Sequence, residues 1–153
     1  MEKYGSKHAL KSPPHVTLHM PFKYKDKRYD QLQEFMSSVT REQTNFSLTL
    51  RDFDCFEPRV IFVDVKPSNE LEQLQGKIVK EIRKLNILNA QYKSRAFHPH
   101  MTIAFRDLKK PVFYDVWQEF SDKKYKATFE INDICLLKHD GQQWNIHQRF
   151  PFT

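Results

Sequence analysis

The sequence predicts one folding unit, residues 1–153, in which helices and β-strands are mixed and arranged as two related halves. Two runs of alternating polar and apolar residues, 15–20 and 98–105, each carry a His-x-Thr triplet with the period of a half-buried strand. An amphipathic helix and β-rich segments follow each run, so the order of elements repeats. A chain of 153 residues can bury a substantial core, and its 13 phenylalanines indicate that this core is aromatic.

The first half opens with a predicted strand over 15–20, because His15, Thr17 and His19 would point to one face of it. The other face is apolar and consists of Val16, Leu18 and Met20. Apolar residues at three- and four-residue steps predict a helix over 28–40. Asp26 and Asp30 are the candidate caps for the start of this helix.

Two β-rich runs, 46–53 and 59–65, flank a loop that contains Pro58, and they are predicted to be neighbouring strands. Ser68 is a plausible N-cap for the next element. Leucine and isoleucine at helical spacing predict that this helix is long and covers 68–88.

The second His-x-Thr strand is predicted over 98–105, with His98, His100 and Thr102 on one face. Its pattern matches that of the first strand, and together they indicate an internal duplication. The remaining predicted elements are a helix at 111–120 and two strands at 127–137 and 143–150, joined by a hairpin at 139–141.

The two halves differ in the length of chain that precedes their motifs. The second motif is preceded by a strand and a long helix, whereas only fourteen residues precede His15 and few of these are apolar. We therefore expect the first half to lack its opening strand and helix. The corresponding hypothesis is that the sequence is truncated at its N-terminus or begins at an internal methionine.

Composition restricts the function classes. The 25 lysines and arginines exceed the 19 acidic residues, which gives a net charge of +6 and favours polyanionic partners such as RNA. Cys55 and Cys135 are too few and too distant for a zinc site. Because no signal-like N-terminus and no run of ~20 apolar residues is present, we expect a cytoplasmic protein with no membrane partner.

The two triplets suggest phosphate chemistry. His-x-Thr on a strand places an imidazole and a hydroxyl on one face, about 6.5–7 Å apart, so His15 with Thr17 and His100 with Thr102 could surround a single phosphate. Imidazole has a pKa of about 6.5, which suits one histidine as general base and the other as general acid. The threonine hydroxyls would donate hydrogen bonds to non-bridging oxygens. This scheme requires no metal and no cofactor.

The motifs HVTL (15–18) and HMTI (100–103) resemble the paired motifs of the two-histidine (2H) phosphoesterase superfamily. The stretch FHPHMTIAF (97–105) is especially similar to the second of them, and the chain is most similar to the bacterial 2′-5′ RNA ligase and cyclic phosphodiesterase-like branch. The resemblance implies a bilobal α+β fold with pseudo-twofold symmetry. In such a fold two antiparallel sheets flank a central cleft and helices lie outside.

By the same resemblance, His15 and His100 are the expected catalytic residues, and Thr17 and Thr102 are the expected substrate-binding residues. The expected protein is a monomeric, metal-independent phosphodiesterase acting on RNA or nucleotide 2′,3′-cyclic phosphates or 2′-5′ linkages. RNA 2′-5′ ligation is one alternative, and a nucleotide- or RNA-binding module without turnover is another. The sequence does not assign the roles of base and acid.

A metal-dependent hydrolase is a third possibility, because His98 and His100 form an HxH pair that His19 or an acid could complete. No third or fourth ligand follows at a convincing spacing, and Pro21 argues against the helix that would align His19 with His15. We therefore expect no metal site. His19 is left as an unassigned neighbour of the motif, and His8, His139 and His147 are expected on the surface or in the hairpin.

Overall fold

The structure, a computed structural model, describes residues 6–87 and 96–153. The fold is α+β, with two antiparallel sheets, as predicted. Its helices are α1 (Tyr29–Thr40), α2 (Asn69–Ile82) and α3 (Lys110–Phe120), and 3₁₀ turns cover His8–Lys11, Asp26–Arg28 and Arg83–Leu85. Its strands are β1 (Phe46–Phe56), β2 (Val60–Val65), β3 (His100–Ala104), β4 (Lys126–Ile131), β5 (Asp133–His139) and β6 (Trp144–Pro151).

Within the described part of the chain, the larger sheet has four strands in the order β3-β2-β1-β4, and the smaller one is the hairpin of β5 and β6. The second histidine motif therefore lies on an edge strand. Within the β2–β3 ladder, Thr102 pairs with Phe62 and His100 pairs with Asp64. Residues that pair across a ladder share a face of the sheet, so all four side chains lie on the same face.

The main core lies between helices α1 and α2 and the opposite face of the larger sheet. Leu74 of α2 and Val39 of α1 are essentially inaccessible to solvent, and Leu50 of β1 packs in the same cluster. Burying an aliphatic side chain of this size stabilises the fold by about 1.5–3 kcal/mol. No helix in the described part of the chain is long and apolar enough to cross a membrane.

A smaller core fixes the far end of β3. Phe113 and Val116 of α3 pack against Ile61 of β2 and Ala104 of β3, and all four are fully buried. Leu108 completes the cluster. Helix α3 therefore holds the end of the strand that carries His100.

The predicted N-cap of α2 is confirmed, since the Leu71 backbone N–H donates to the Ser68 hydroxyl at 3.3 Å. The predicted extent of this helix is wrong. It ends at Ile82, a 3₁₀ turn follows, and Asn86 takes the left-handed conformation with φ 58°, which asparagine tolerates and which stops a helix. Leu88 lies outside the described residues.

The predicted cap of α1 is also wrong. Arg28 occupies the N-cap position without a side-chain hydrogen bond to the helix. Asp26 instead begins the preceding 3₁₀ turn, and Asp30 lies inside α1. The turn therefore takes over the position at which a capping side chain was expected.

The predicted strand at 127–137 is two strands that belong to different sheets. Strand β4 pairs with β1, and β5 pairs with β6. Asn132 separates them, and its carbonyl accepts a hydrogen bond from Phe152 N–H at 2.8 Å. Because the break is a single residue, the chain continues in nearly extended form and the sequence pattern runs across it.

Residues 15–20 do not form the predicted regular strand. Pro14 and Pro21 lack the N–H groups that a ladder requires at either end of this segment. The predicted alternation is retained only in part, since Val16 and Leu18 pack against the main core, whereas Met20 is exposed and Thr17 and His19 are half-buried. This segment is held in place by side-chain burial rather than by strand pairing.

The chain before the first motif is tied to the loop that follows β3. The Asp107 carboxylate accepts hydrogen bonds from the Ser6 hydroxyl at 2.8 Å and from the backbone N–H groups of Lys7 and His8 at 2.6 and 2.8 Å. Ser6 is only 2% exposed. Partial burial acts to raise the pKa of Asp107, but these donors outweigh it and hold the pKa below its usual value.

We expect Asp107→Ala to lower Tm by about 2–4 °C, because it leaves three donors without their shared acceptor. Since the folded-state pKa is lowered, this stabilisation is present above pH 3.8 and is lost as the pH falls further. Thermal unfolding followed by circular dichroism between pH 3 and 7 measures both effects. Asp115→Ala on the exposed side of α3 is the matched control, and equal Tm values for the two variants would contradict the anchoring role.

Candidate active site

The two motif histidines make the same local hydrogen bond. Nδ1 of His15 lies 2.7 Å from the carbonyl oxygen of Pro13, and Nδ1 of His100 lies 2.7 Å from the carbonyl oxygen of His98. In both cases the acceptor is the residue two positions earlier. The duplication predicted from the sequence therefore extends to the orientation of the two rings.

This hydrogen bond fixes the tautomer of each neutral ring. A carbonyl oxygen can only accept, so Nδ1 must carry the proton in both His15 and His100. Nε2 is then the basic nitrogen in each neutral imidazole. Each histidine can accept a proton at Nε2 when neutral and donate one from Nε2 when charged.

The ring of His100 is packed against two phenylalanines. Its centroid lies 4.8 Å from that of Phe62 and 5.1 Å from that of Phe56. Phe62 is fully buried, whereas Phe56 is partly exposed. One side of the imidazole is therefore apolar and desolvated.

Burial is the largest influence on His100 and lowers its pKa below the usual 6.5. The hydrogen bond to the His98 carbonyl opposes this shift. The positive charge of His98 lowers the pKa of His100, the Asp64 carboxylate raises it, and the charge of His15 lowers it. The effect of His15 is the smallest of these.

His98 lies beside His100 and is paired with an acid. Its Nε2 is 3.1 Å from a carboxylate oxygen of Asp64, and both side chains are substantially exposed, at 47% and 40%. The ring centroids of His98 and His100 are 6.1 Å apart. The His98 ring is thus paired with the Asp64 carboxylate, whereas the His100 ring is bonded to a backbone carbonyl.

The predicted phosphate-binding hydroxyls lie next to their histidines. Thr102 is two residues after His100 on β3, so both side chains project from one face of the strand. Thr17 follows His15 at the same interval. Thr17 and Thr102 are both half-buried, whereas His15 is exposed.

His19 lies apart from this arrangement. Its Nδ1 is 2.8 Å from the carbonyl oxygen of Met20, and its ring packs edge-on against Phe22. Burial lowers the pKa of His19. Within residues 6–87 and 96–153, no cluster of three or more histidine, cysteine or acidic side chains could hold a metal ion.

Three residues that contact or pair with the second motif were not among the predicted site residues: Phe56, Phe62 and Asp64. Phe62 reads as an ordinary core residue of a buried strand, and only the register of β2 against β3 places it beside the motif. Of the three, Asp64 is the one that the sequence could have indicated. An acid inside the run RVIFVDV interrupts an otherwise apolar strand.

Two antiparallel sheets and a pair of similarly oriented His-x-Thr motifs define the two-histidine class of phosphoesterases. The chain belongs to the 2′-5′ RNA ligase superfamily, whose family model matches residues 1–143. A Geobacillus sp. (strain WCH70) protein, provisionally named a phosphoesterase, is 26% identical to this chain over 152 residues. The match covers 97% of this chain and 83% of that protein. A Bacillus licheniformis protein with the same provisional name is 28% identical, with 97% and 85% covered.

Solved structures show the same fold. LigT of E. coli complexed with 3′-AMP superimposes with a TM-score of 0.70 at 19% identity, covering 92% of this chain and 77% of that one. LigT complexed with ATP gives a TM-score of 0.65 at 16% identity, covering 99% and 87%. The phosphoesterase fold predicted from the two motifs is therefore confirmed.

We expect the imidazole of His100 to titrate below pH 6.5, because burial disfavours its charged form. Asp64→Asn should lower the titration midpoint further, since it removes the carboxylate that favours the charge. Proton NMR of the ring resonances measures both midpoints. Asp115→Asn is the control for loss of a distant carboxylate, and a His100 midpoint that is above 6.5 or does not change in Asp64→Asn would contradict this electrostatic account.

Proposed function

We propose that this protein is a metal-independent phosphodiesterase that acts on RNA or nucleotide 2′,3′-cyclic phosphates or 2′-5′ linkages. The observation that carries the proposal is the repeated Nδ1–carbonyl hydrogen bond of His15 and His100. It leaves two Nε2 atoms for proton transfer, each accompanied by a threonine hydroxyl. Base, acid and phosphate-binding groups are all supplied by four side chains.

The environments of the histidines support different roles. His100 is desolvated by Phe62 and has a lowered pKa, which favours the neutral form that a general base requires. His15, by contrast, is exposed to solvent. We assign His100 as the base and His15 as the acid in the hydrolytic direction.

In ring opening, Nε2 of His100 removes a proton from water while the water oxygen forms a bond to phosphorus. The bond between phosphorus and one ribose oxygen breaks, and Nε2 of protonated His15 donates its proton to that oxygen. His100 ends charged and His15 neutral, and proton exchange with solvent restores both. Thr17 and Thr102 donate hydrogen bonds to the non-bridging oxygens, whose charge they stabilise.

Nucleotide binding by structural relatives supports the proposal. Structures of E. coli LigT are described as complexes with 3′-AMP, NADP+ and ATP. These ligands share a phosphorylated ribose with the proposed substrates. The net charge of +6 of this chain also favours such anions.

Ligation is the alternative reaction, in which a ribose hydroxyl rather than water opens the cyclic phosphate, and the description of the superfamily as 2′-5′ RNA ligase supports it. The 5′-hydroxyl of a second RNA strand would replace water as the nucleophile, give its proton to His100 and form a bond to phosphorus. The bond between phosphorus and the 3′-oxygen would break, and His15 would protonate that oxygen, which leaves a 2′-5′ linkage. Hydrolysis is the expected main direction because water is abundant and ligation requires two RNA ends to be aligned.

We expect His15→Ala and His100→Ala each to lower kcat/KM for 2′,3′-cyclic nucleotides by about 10²–10⁴-fold, since each removes one proton-transfer group. Thr17→Val and Thr102→Val should each cost roughly 10²-fold through loss of one donor to the phosphate. Chromatographic separation of the nucleoside monophosphate product measures turnover. The matched control is His147→Ala, which removes an exposed histidine on β6 and should retain full activity.

The same assay in excess EDTA tests metal independence, and we expect no loss of rate. Complete inhibition by EDTA would instead indicate a metal-dependent hydrolase. Full activity in either histidine variant would contradict the proposed mechanism. Nucleotide binding without turnover in the wild type would identify a binding module rather than an enzyme.

A further inference from the structure

Two cavities meet at the end of β3, where Phe105 and Arg106 line both of them. The larger has a volume of about 800 Å³ and lies between this point and the start of α3. The smaller has a volume of about 270 Å³ and lies against the first 3₁₀ turn and the tip of the β5–β6 hairpin. We call the two together the basic groove.

The side chains that line the basic groove carry mainly positive charge. Those of the larger cavity are Arg59, Arg106, Lys109 and Lys110. The smaller cavity adds Lys11 and two histidines, His8 and His139. Among the residues that the structure describes, Glu57 is the single acid lining the larger cavity, and none of those lining the smaller cavity is acidic.

The carboxylates next to the smaller cavity are already engaged by backbone donors. Asp107 accepts hydrogen bonds from Lys7 N–H and His8 N–H. Asp140 accepts from the backbone N–H groups of Gln142 and Gln143, both at 2.8 Å. These carboxylates are therefore directed at the backbone, and the lysine and arginine charges of the groove are not paired with them.

Aromatic rings accompany the charges in the smaller cavity. Trp144 is half-buried and packs against His139 with ring centroids 5.0 Å apart. Phe105 packs against His8 at 4.9 Å. Basic side chains interleaved with aromatic rings are the combination by which proteins bind single-stranded nucleic acid, through phosphate contacts and base stacking.

Arg106 has a backbone conformation that indicates a constrained position. Its φ is 59°, in the left-handed region that a long side chain rarely adopts. The residue lies where the two cavities join, and its guanidinium carbon is 5.4 Å from the centre of the Phe105 ring. The loop therefore places the Arg106 cation beside the Phe105 ring where the two cavities of the groove join.

The basic groove lies beside the proposed reaction centre but does not include it. Phe105 is five residues after His100, or ~16 Å along an extended chain, and Lys11 is four residues before His15. A single nucleotide held at the histidines does not span this distance. A ligand that occupies both places must be longer.

We propose that the basic groove binds the RNA strand that precedes the reacting cyclic phosphate, so that the preferred substrate is an oligoribonucleotide. This inference rests on the proposed function for the identity of the reacting end. The lysines and arginines contact the backbone phosphates, and Trp144 stacks with a base. The groove contributes affinity but no base specificity, because contacts to phosphates do not distinguish one base from another.

Binding is tested with an unreactive RNA of about ten nucleotides that ends in a 3′-hydroxyl, by fluorescence anisotropy at several salt concentrations. Lys109→Gln/Lys110→Gln should weaken binding roughly ten-fold at low salt. It should also reduce the slope of log K against log salt by about 1.4, because each lost phosphate contact removes about 0.7. Lys11→Gln should give about half of this change in slope.

The matched control is Lys124→Gln/Lys126→Gln, which removes the same charge at the opposite edge of the larger sheet. Its RNA affinity and salt slope should stay within two-fold of the wild type. Equal losses in the groove variant and the control would show attraction by net charge alone and would overturn the inference. Unchanged affinity in Lys109→Gln/Lys110→Gln would overturn it as well.

A second arm separates this inference from the proposed function. In the wild type, kcat/KM should be at least ten-fold higher for an RNA ending in a 2′,3′-cyclic phosphate than for a cyclic mononucleotide, and the groove variant should lose most of that preference. The mononucleotide rate should be unchanged in the groove variant. If the wild type hydrolyses neither substrate while the anisotropy results hold, the proposed function fails and the RNA-binding groove stands.

Discussion

The arrangement depends on one hydrogen bond that occurs twice, from Nδ1 of a motif histidine to the carbonyl oxygen two residues earlier. It fixes which nitrogen of His15 and His100 is free for chemistry. The acceptors are the carbonyls of Pro13 and His98, so the backbone before each motif must be held as firmly as the motif. The two halves of the chain meet this requirement by different means.

Along β3, pairing with β2 and packing on α3 supply the rigidity, and before His100 the His98 ring is paired with the Asp64 carboxylate of β2. Residues 6–14, the described part of the chain before His15, contain no regular strand. The packing of Val16 and Leu18 and the hydrogen bonds of the Asp107 carboxylate to residues 6–8 take its place. This difference leaves His15 exposed while His100 rests against Phe62. The proposed division into acid and base follows from that asymmetry, which the duplicated motif alone does not reveal.

Features set by local periodicity could be predicted from the sequence. These include α1, α3, the cap at Ser68 and the paired His-x-Thr triplets, each of which depends on residues close together in the chain. Features that depend on pairing between distant segments could not. Three examples are the split of β4 from β5 at Asn132, the position of Phe62 beside His100, and the shared lining of the smaller cavity by Lys11 and Arg106. All three depend on how distant segments pair and pack, which the sequence does not encode locally.

We propose that His15 and His100 act on one phosphate through their Nε2 atoms. A crystal structure with a nucleoside 2′- or 3′-monophosphate, either of the products expected from ring opening, tests it most directly. The account predicts one phosphate group within hydrogen-bonding distance, about 3 Å, of both Nε2 atoms and of the Thr17 and Thr102 hydroxyls. A phosphate that contacts only one of the two histidines, or a histidine that presents Nδ1 to it, would contradict the account.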